Sequence, residues 1–368
     1  MAKFNNVYEY IFHLLASILK GTQPEEKPEG VSFDEIFAIG KEHHIANMLY
    51  YAVEKLENGP SDELNKEWAK KRDQGIVREF TQSYEYGIVS NLFVKNQVRF
   101  LPLKGILLKG LYPQRDMRSM SDIDILVDLE NAGKAGAILK RLGYIPNIEE
   151  DEDHDGYLKK PHTYFEIHRS LFTHGGENSY ILFENAWEHA TELSPYIWHY
   201  DKTWFFIYLF AHFEKHYNFS GIGIRAVMDI WVYLNKYGDE LDFDYIYSQL
   251  EKSGSDQLCR DIIGLTKVWF DGETWNDKYK QMTNYILDCG VYGNNIVKSY
   301  NTRQKQGKFR HLIFRIFPSV KTLEPNYPIL KKAPFLLPFI WIYRWFAALT
   351  FRRKDVKKEL DYINSDVK

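Results

Sequence analysis

The chain has 368 residues, 45% of them hydrophobic and 16% aromatic, and a formal net charge of −3. That composition excludes a disordered chain and supplies apolar material for more than one domain with a buried core. The two cysteines, Cys259 and Cys289, exclude a disulfide framework and match no zinc or redox spacing, so buried free thiols in a reducing cytoplasm are expected.

In chain order, residues 1–95 read as a helical region. Val7 to Leu19 is apolar but holds Glu9 and His13 and runs into Lys20-Gly21 without a small-residue cleavage pattern. It reads as an amphipathic helix and not as an export signal. A second helix is expected from Phe33 to Tyr50 behind Ser32 as N-cap, carrying His43 and His44 as a polar patch. A third, through Trp68 to Val94, leads into a strand at Val98–Leu103.

Residues 96–190 carry the chemistry. The first strand is followed by a Lys104-Gly105 turn, a short helix, a loop bearing Arg115 and Arg118, and a second strand, Asp122-Ile-Asp-Ile-Leu-Val127. Residues i and i+2 of a strand share a face, so Asp122 and Asp124 point one way and Ile123 and Ile125 the other. Two carboxylates held side by side repel unless a cation neutralises them, and a hard divalent ion such as Mg²⁺ or Mn²⁺ is the expected partner. Asp128 is expected at the strand end or in a turn. A helix from Asn131 to Leu142 should stop at Gly143. The acidic run Glu149–Asp155 reads as a solvated hairpin or loop without calcium-loop spacing. Thr163–Leu171 alternates like a strand, with Glu166 and His168 on one face and Phe165 and Ile167 on the other. Taken alone, Glu166 would be an ordinary exposed polar residue.

Residues 191–300 read as helical. His212-Phe-Glu-Lys-His216 puts Glu214 one position away from where a zinc-protease helix needs it, so no zinc is expected. Arg225 and Asp229 stand one helical turn apart and are spaced to pair. Residues 301–368 form a basic, aromatic-rich segment with 15 Lys and Arg against 5 Asp and Glu, about +10, which leaves about −13 on the rest. Ala333–Phe351 is apolar, but Pro334, Pro338 and Arg344 argue for a packed or surface-lying helix over a membrane span. The segment is expected to dock on the acidic body through Phe335, Leu336, Phe339, Ile340, Trp341 and Trp345. Peripheral contact with an anionic membrane, beside Arg352-Arg353-Lys354, is the alternative.

Gly, then a helix, then Asp-x-Asp on a strand resembles the nucleotidyltransferases of the polymerase β superfamily. Leu103-Lys104-Gly105 ahead of Arg118 and Asp122–Val127 resembles one branch in particular, a group of bacterial uncharacterised nucleotidyltransferases. Gly223–Asp229, Phe317-Pro-Ser319, Tyr327–Lys332 and Pro334–Pro338 extend the likeness over most of the chain. The resemblance implies an α+β fold, a small mixed β-sheet core flanked by N- and C-terminal helical domains. It implies transfer of a nucleoside monophosphate from an NTP, ATP by expectation, to an acceptor that is a small molecule or a protein; nucleic acid is disfavoured. It assigns Asp122, Asp124 and Glu166 as catalytic metal ligands and Lys104, Gly105, Arg115 and Arg118 to the nucleotide. His168, Arg225 and Asp229 become candidate walls of the cleft. Active members carry Gly-Ser or Gly-Gly where this chain has Gly105-Ile106. That departure keeps open a second reading, a non-catalytic nucleotide- or partner-binding protein on the same fold.

Overall fold

The computed structural model describes residues 5–147, 154–161, 163–172, 178–219, 221–289, 317, 320–323, 327 and 329–350. The architecture is α+β: helices surround one seven-stranded mixed sheet. The chain divides into two units. One is built from Ala2–Lys215 and Ile222–Val291, the other from Met1, His216–Gly221 and Tyr292–Lys368.

The first unit opens with α1 (Asn6–Lys20), capped by Asn5 and ended by Gly21 at φ +69°. The helix expected from Phe33 to Tyr50 is two helices, α2 (Phe33–Glu42) and α3 (Ala46–Val53), broken at His44, whose φ is +52°. Packing imposes the break. Every residue of α3 is buried, and Gly40 lies so close to it that a Cβ there would sit 3.1 Å from Leu49 Cδ1. Ser61 caps α4 (Asp62–Lys95), whose 34 residues make a rod about 50 Å long.

The sheet runs in the order β3-β4-β5-β2-β1-β7-β6, with β1 Phe100–Pro102, β2 Ile123–Val127, β3 Ile145–Asn147, β4 His154–Lys159, β5 Thr163–His168, β6 Ala190–Ser194 and β7 Ile197–Tyr200. β1 is antiparallel to β2, and β2 is parallel to β5. One face is apolar: Phe100, Ile123, Ile125, Val127, Phe165 and Ile167 pack with Val89 and Phe93 of α4 and with Ile138 and Leu139 of α6 (Leu129–Arg141). Asp128 is the N-cap of α6, accepting from Asn131 N–H at 2.9 Å, and Gly143 follows the helix at φ +86°.

One segment differs from expectation. Residues 190–200, assigned largely to a helical region, form the β6–β7 hairpin, and β7 pairs in parallel with β1. Arg99 anchors it, its guanidinium 4.0 and 3.7 Å from the ring centres of Trp187 and Trp198. Of the acidic run, residues 149–153 lie outside the described residues; His154 and Asp155 begin β4, which pairs antiparallel with β3, the pairing of a hairpin, and Asp155 pairs with Arg169 at 2.7 Å.

The short α7 (Tyr180–Phe183) precedes β6, and α8 (Lys202–Phe219), α9 (Ile224–Tyr237), α10 (Phe243–Glu251), α11 (Asp256–Phe270) and α12 (Asp277–Cys289) follow β7. Glu214 accepts a hydrogen bond from Ser179 at 2.7 Å, and Cys259 and Cys289 are buried free thiols. In the second unit, Phe317 meets Trp341 edge to face at 5.1 Å. Phe335 and Phe339, expected to pack, are 76% and 68% exposed. The Trp345 side chain, residues 301–316 and Arg352–Lys354 lie outside the described residues. No described helix is long and apolar enough to cross a membrane.

Candidate functional site

The polar face of the sheet is where β2 and β5 place the acidic residues. Parallel register sets Asp124 directly opposite Glu166, with His168 two residues farther along on the same side. His168 Nε2 donates to Asp124 Oδ1 at 2.9 Å and stands 3.5 Å from Glu166 Oε2. Each of the three presents a ligand atom within 4.8 Å of the others. Asp122 is outside that group. It is half-buried just before β2, at the entrance to the same cluster. The residues that converge most tightly are therefore Asp124, Glu166 and His168, where the sequence pointed to Asp122, Asp124 and Glu166.

Charge within the cluster is only partly offset. Burial pushes the Asp124 carboxyl up, but Lys104 and the His168 hydrogen bond outweigh it and hold Asp124 well below the usual carboxylate range. Burial opposes protonation of His168, yet its hydrogen bonds to Asp124 and Glu166 win and raise its pKa. Asp122 is pushed up to about 6, first by desolvation and then by the charges of Asp124 and Glu166, with Lys104 and Arg225 opposing. Like charges crowded on one face lift a carboxyl pKa in this way when no cation fully compensates them.

Lys104 sits at the bend between β1 and α5 (Lys104–Leu108), with Nζ 3.4 Å from Asp124 Oδ1. Its φ of +34° is uncommon for a side chain with a Cβ, and the Leu103 N–H bond to Asp124 O, 3.0 Å, fixes the bend against β2. Gly105 is constrained by packing, because a Cβ there would lie 2.6 Å from Arg118 Nη1 and 2.9 Å from Met120 Sδ.

The other expected phosphate ligands are engaged elsewhere. Arg118 is buried and forms a two-pronged pair with Asp229, Nε to Oδ1 at 2.9 Å and Nη2 to Oδ2 at 2.8 Å; Tyr112 O–H donates to the same carboxylate at 2.7 Å. Desolvation disfavours the guanidinium charge, but Asp229 overrides it and raises the Arg118 pKa. The pair expected within α9 is thus replaced: Asp229 holds Arg118, and Arg225 Nη1 donates to Ser119 O at 2.7 Å. Arg115, half exposed, pairs with Glu79 of α4 at 2.9 Å. The loop before β2 is pinned from other sides as well. Tyr51 O–H bonds Asp116 Oδ2 at 2.8 Å, Asn47 bonds Asp116 O at 2.6 Å, and Gln82 bonds Met120 O at 3.1 Å. The N-terminal helices and α9 together hold the approach to Asp122.

Two residues near the site were missed in the sequence. His154, in the acidic run, lies 3.8 Å from Glu166 Oε1, and its ring is 5.1 Å from that of His168. Its signal was parity, since β4 pairs His154 with His168 across the ladder. Tyr208 of α8 is buried, and its hydroxyl pKa is raised by desolvation first and then by Asp124. Nothing in its apolar helix marks it.

No curated protein and no solved structure matches the chain. A family model described as uncharacterised nucleotidyltransferase matches residues 29–271, which include α2 to α11 and every residue of the cluster. The chain belongs to that family of uncharacterised nucleotidyltransferases.

Proposed function

We propose that the chain is a metal-dependent nucleotidyltransferase of the polymerase β type, transferring a nucleoside monophosphate from an NTP, with ATP the favoured donor. The observation that carries this reading is the register pairing of Asp124 with Glu166, His168 beside them. In the reaction an acceptor oxygen attacks the α-phosphorus, the bond to the bridging oxygen breaks and pyrophosphate leaves.

The donor set fits a divalent ion. Asp124 and Glu166 would hold it, with Asp122 or His168 completing the set. Carboxylates suit Mg²⁺, and an imidazole nitrogen among the donors shifts preference towards Mn²⁺. When bound, such an ion supplies the charge that stabilises a polyphosphate during in-line displacement. The chain's own residues contribute orientation and charge. Lys104 lies beside Asp124, placed to meet a phosphate oxygen, and the Arg118–Asp229 pair keeps the β2 approach rigid. Tyr208 is buried, and the charge of Asp124 acts on its hydroxyl.

The test incubates purified protein with each α-³²P-labelled NTP, Mg²⁺ or Mn²⁺, and cell extract. Label should move to an acceptor with the wild type, and fall by about 10³-fold or more in Asp124→Asn, about 4 kcal/mol of transition-state stabilisation. A second reading, nucleotide binding without turnover, is favoured by one observation: Arg115 and Arg118 are both committed to internal carboxylates. It predicts Mn²⁺ and ATP binding in calorimetry with no label transferred from any NTP.

A further inference from the structure

A second polar site is lined in part by Ser119 of the loop that leads into β2. A cavity of about 290 Å³ is lined by Lys41 of α2, His44 at the α2–α3 break, Asn47 of α3, Lys71 and Arg78 of α4, and Ser119. Among the described residues, no carboxylate lines it. Lys71, Gln74, Gly75 and Arg78 follow one another at helical spacing, so one stripe of α4 forms a wall. Gly75 lets that stripe approach α3, since a Cβ there would lie 3.2 Å from Asn47 Nδ2.

Among the described residues, Lys41, Lys71 and Arg78 make no ion pair with a carboxylate, whereas the neighbouring Arg72 pairs with Glu54 and Asp73. The positive field registers on His44, whose pKa is lowered by burial and then by Arg225, Arg78 and Lys71. Arg225 links the two sites. It bonds Ser119 at the cavity's edge, and its charge also acts on Asp122.

We propose that this cavity binds a phosphoryl group beside the reaction centre, with Lys71 and Arg78 as its principal cationic ligands and Ser119 and Asn47 flanking them. Arginine and lysine on different turns of one helix suit a multivalent oxyanion, and a concave site concentrates their field. The phosphoryl group comes either from the donor's polyphosphate or from a phosphorylated acceptor. Assigning it to a substrate rests on the nucleotidyltransferase reading; anion binding itself does not.

The experiment is calorimetry of the full chain with inorganic pyrophosphate, without metal, at low and at high salt. Wild type should bind, and binding should weaken as NaCl rises from about 0.05 M to about 0.2 M. Lys71→Gln/Arg78→Gln should lose about tenfold or more in affinity with an unchanged melting temperature, while Lys71→Arg/Arg78→Lys should restore most of it. Asp124→Asn should bind pyrophosphate as the wild type does, which separates this site from the carboxylate cluster. Unaltered pyrophosphate affinity in the Gln variant, or no binding by wild type, overturns the proposal and leaves the nucleotidyltransferase reading intact. ATP titrated with Mn²⁺ distinguishes the sources. A matching loss of ATP affinity in the Gln variant assigns the cavity to the donor, and unchanged ATP affinity alongside lost pyrophosphate binding assigns it to the acceptor.

Discussion

Arg118 and the pair Lys71 and Arg78 are cations within one small region, yet their surroundings differ completely. Arg118 is buried, grips Asp229 through two hydrogen bonds and fills the space that a side chain at position 105 would need. Lys71 and Arg78 stand on an accessible helix face with no carboxylate partner among the described residues. A buried charge survives only when it is paired, so Arg118 belongs to the framework that fixes the loop before Asp122. An exposed, unpaired charge costs little to keep and remains available to a ligand. His43 takes a third course: buried, with no hydrogen-bond partner for Nδ1 among the described residues, it stays neutral, its pKa lowered to about 4 by burial.

The contrast is broken most directly at Asp229. Asp229→Ala would leave Arg118 buried without its counter-charge and should cost about 3–5 kcal/mol, measured by urea unfolding. An unchanged midpoint would mean that Arg118 is free to serve the nucleotide after all.

His43 sharpens the comparison through pH. Its folded pKa is about 4 and its ordinary value 6.5, so below pH 6.5 the unfolded chain binds a proton that the folded chain refuses. Stability should therefore fall as pH drops from 6.5 to about 4, by on the order of 3 kcal/mol, and the loss should level off below that. Unfolding of wild type and His43→Leu across this window isolates the effect, because the variant lacks it. Parallel pH curves for the two proteins would contradict the neutral, buried imidazole.

Gly105→Ala tests how tightly Arg118 is held. The added methyl meets a guanidinium that Asp229 does not release, so a loss of about 1–3 kcal/mol is expected. A thermal melt indistinguishable from wild type would show that Arg118 yields. The smallest effect belongs to Lys71→Gln/Arg78→Gln, which should change stability by less than about 0.5 kcal/mol. A larger loss would place these two residues in the framework with Arg118.

Much of the fold was legible because it depends on local periodicity. β5 alternates buried and half-buried along its whole length, as Thr163–His168 reads. Gly143 ends α6 because its left-handed φ is costly for any other residue. The breaks were not legible. His44 interrupts a run with unbroken helical spacing, since the demand to bury all of α3 comes from distant helices. The β6–β7 hairpin draws its stability from β1 and from Arg99 between two tryptophans, contacts that no local pattern carries.

Within the site the division is similar. Asp122 and Asp124 stood out in the sequence because strand parity and charge are local properties, and only the family resemblance added Glu166 to them. Which cations serve the cluster and which serve the framework depends on pairings across 111 residues, as for Arg118 with Asp229. The sequence by itself determined β1, β2 and β5, their faces and the carboxylates on them, because two-residue alternation is a property of the extended backbone. Tertiary structure alone decided that His168 joins Asp124 and Glu166, that Arg118 is already taken, and that Lys71 and Arg78 face a cavity. Burial and the distance to a partner set the energy of a charge, and both are fixed only when remote segments meet.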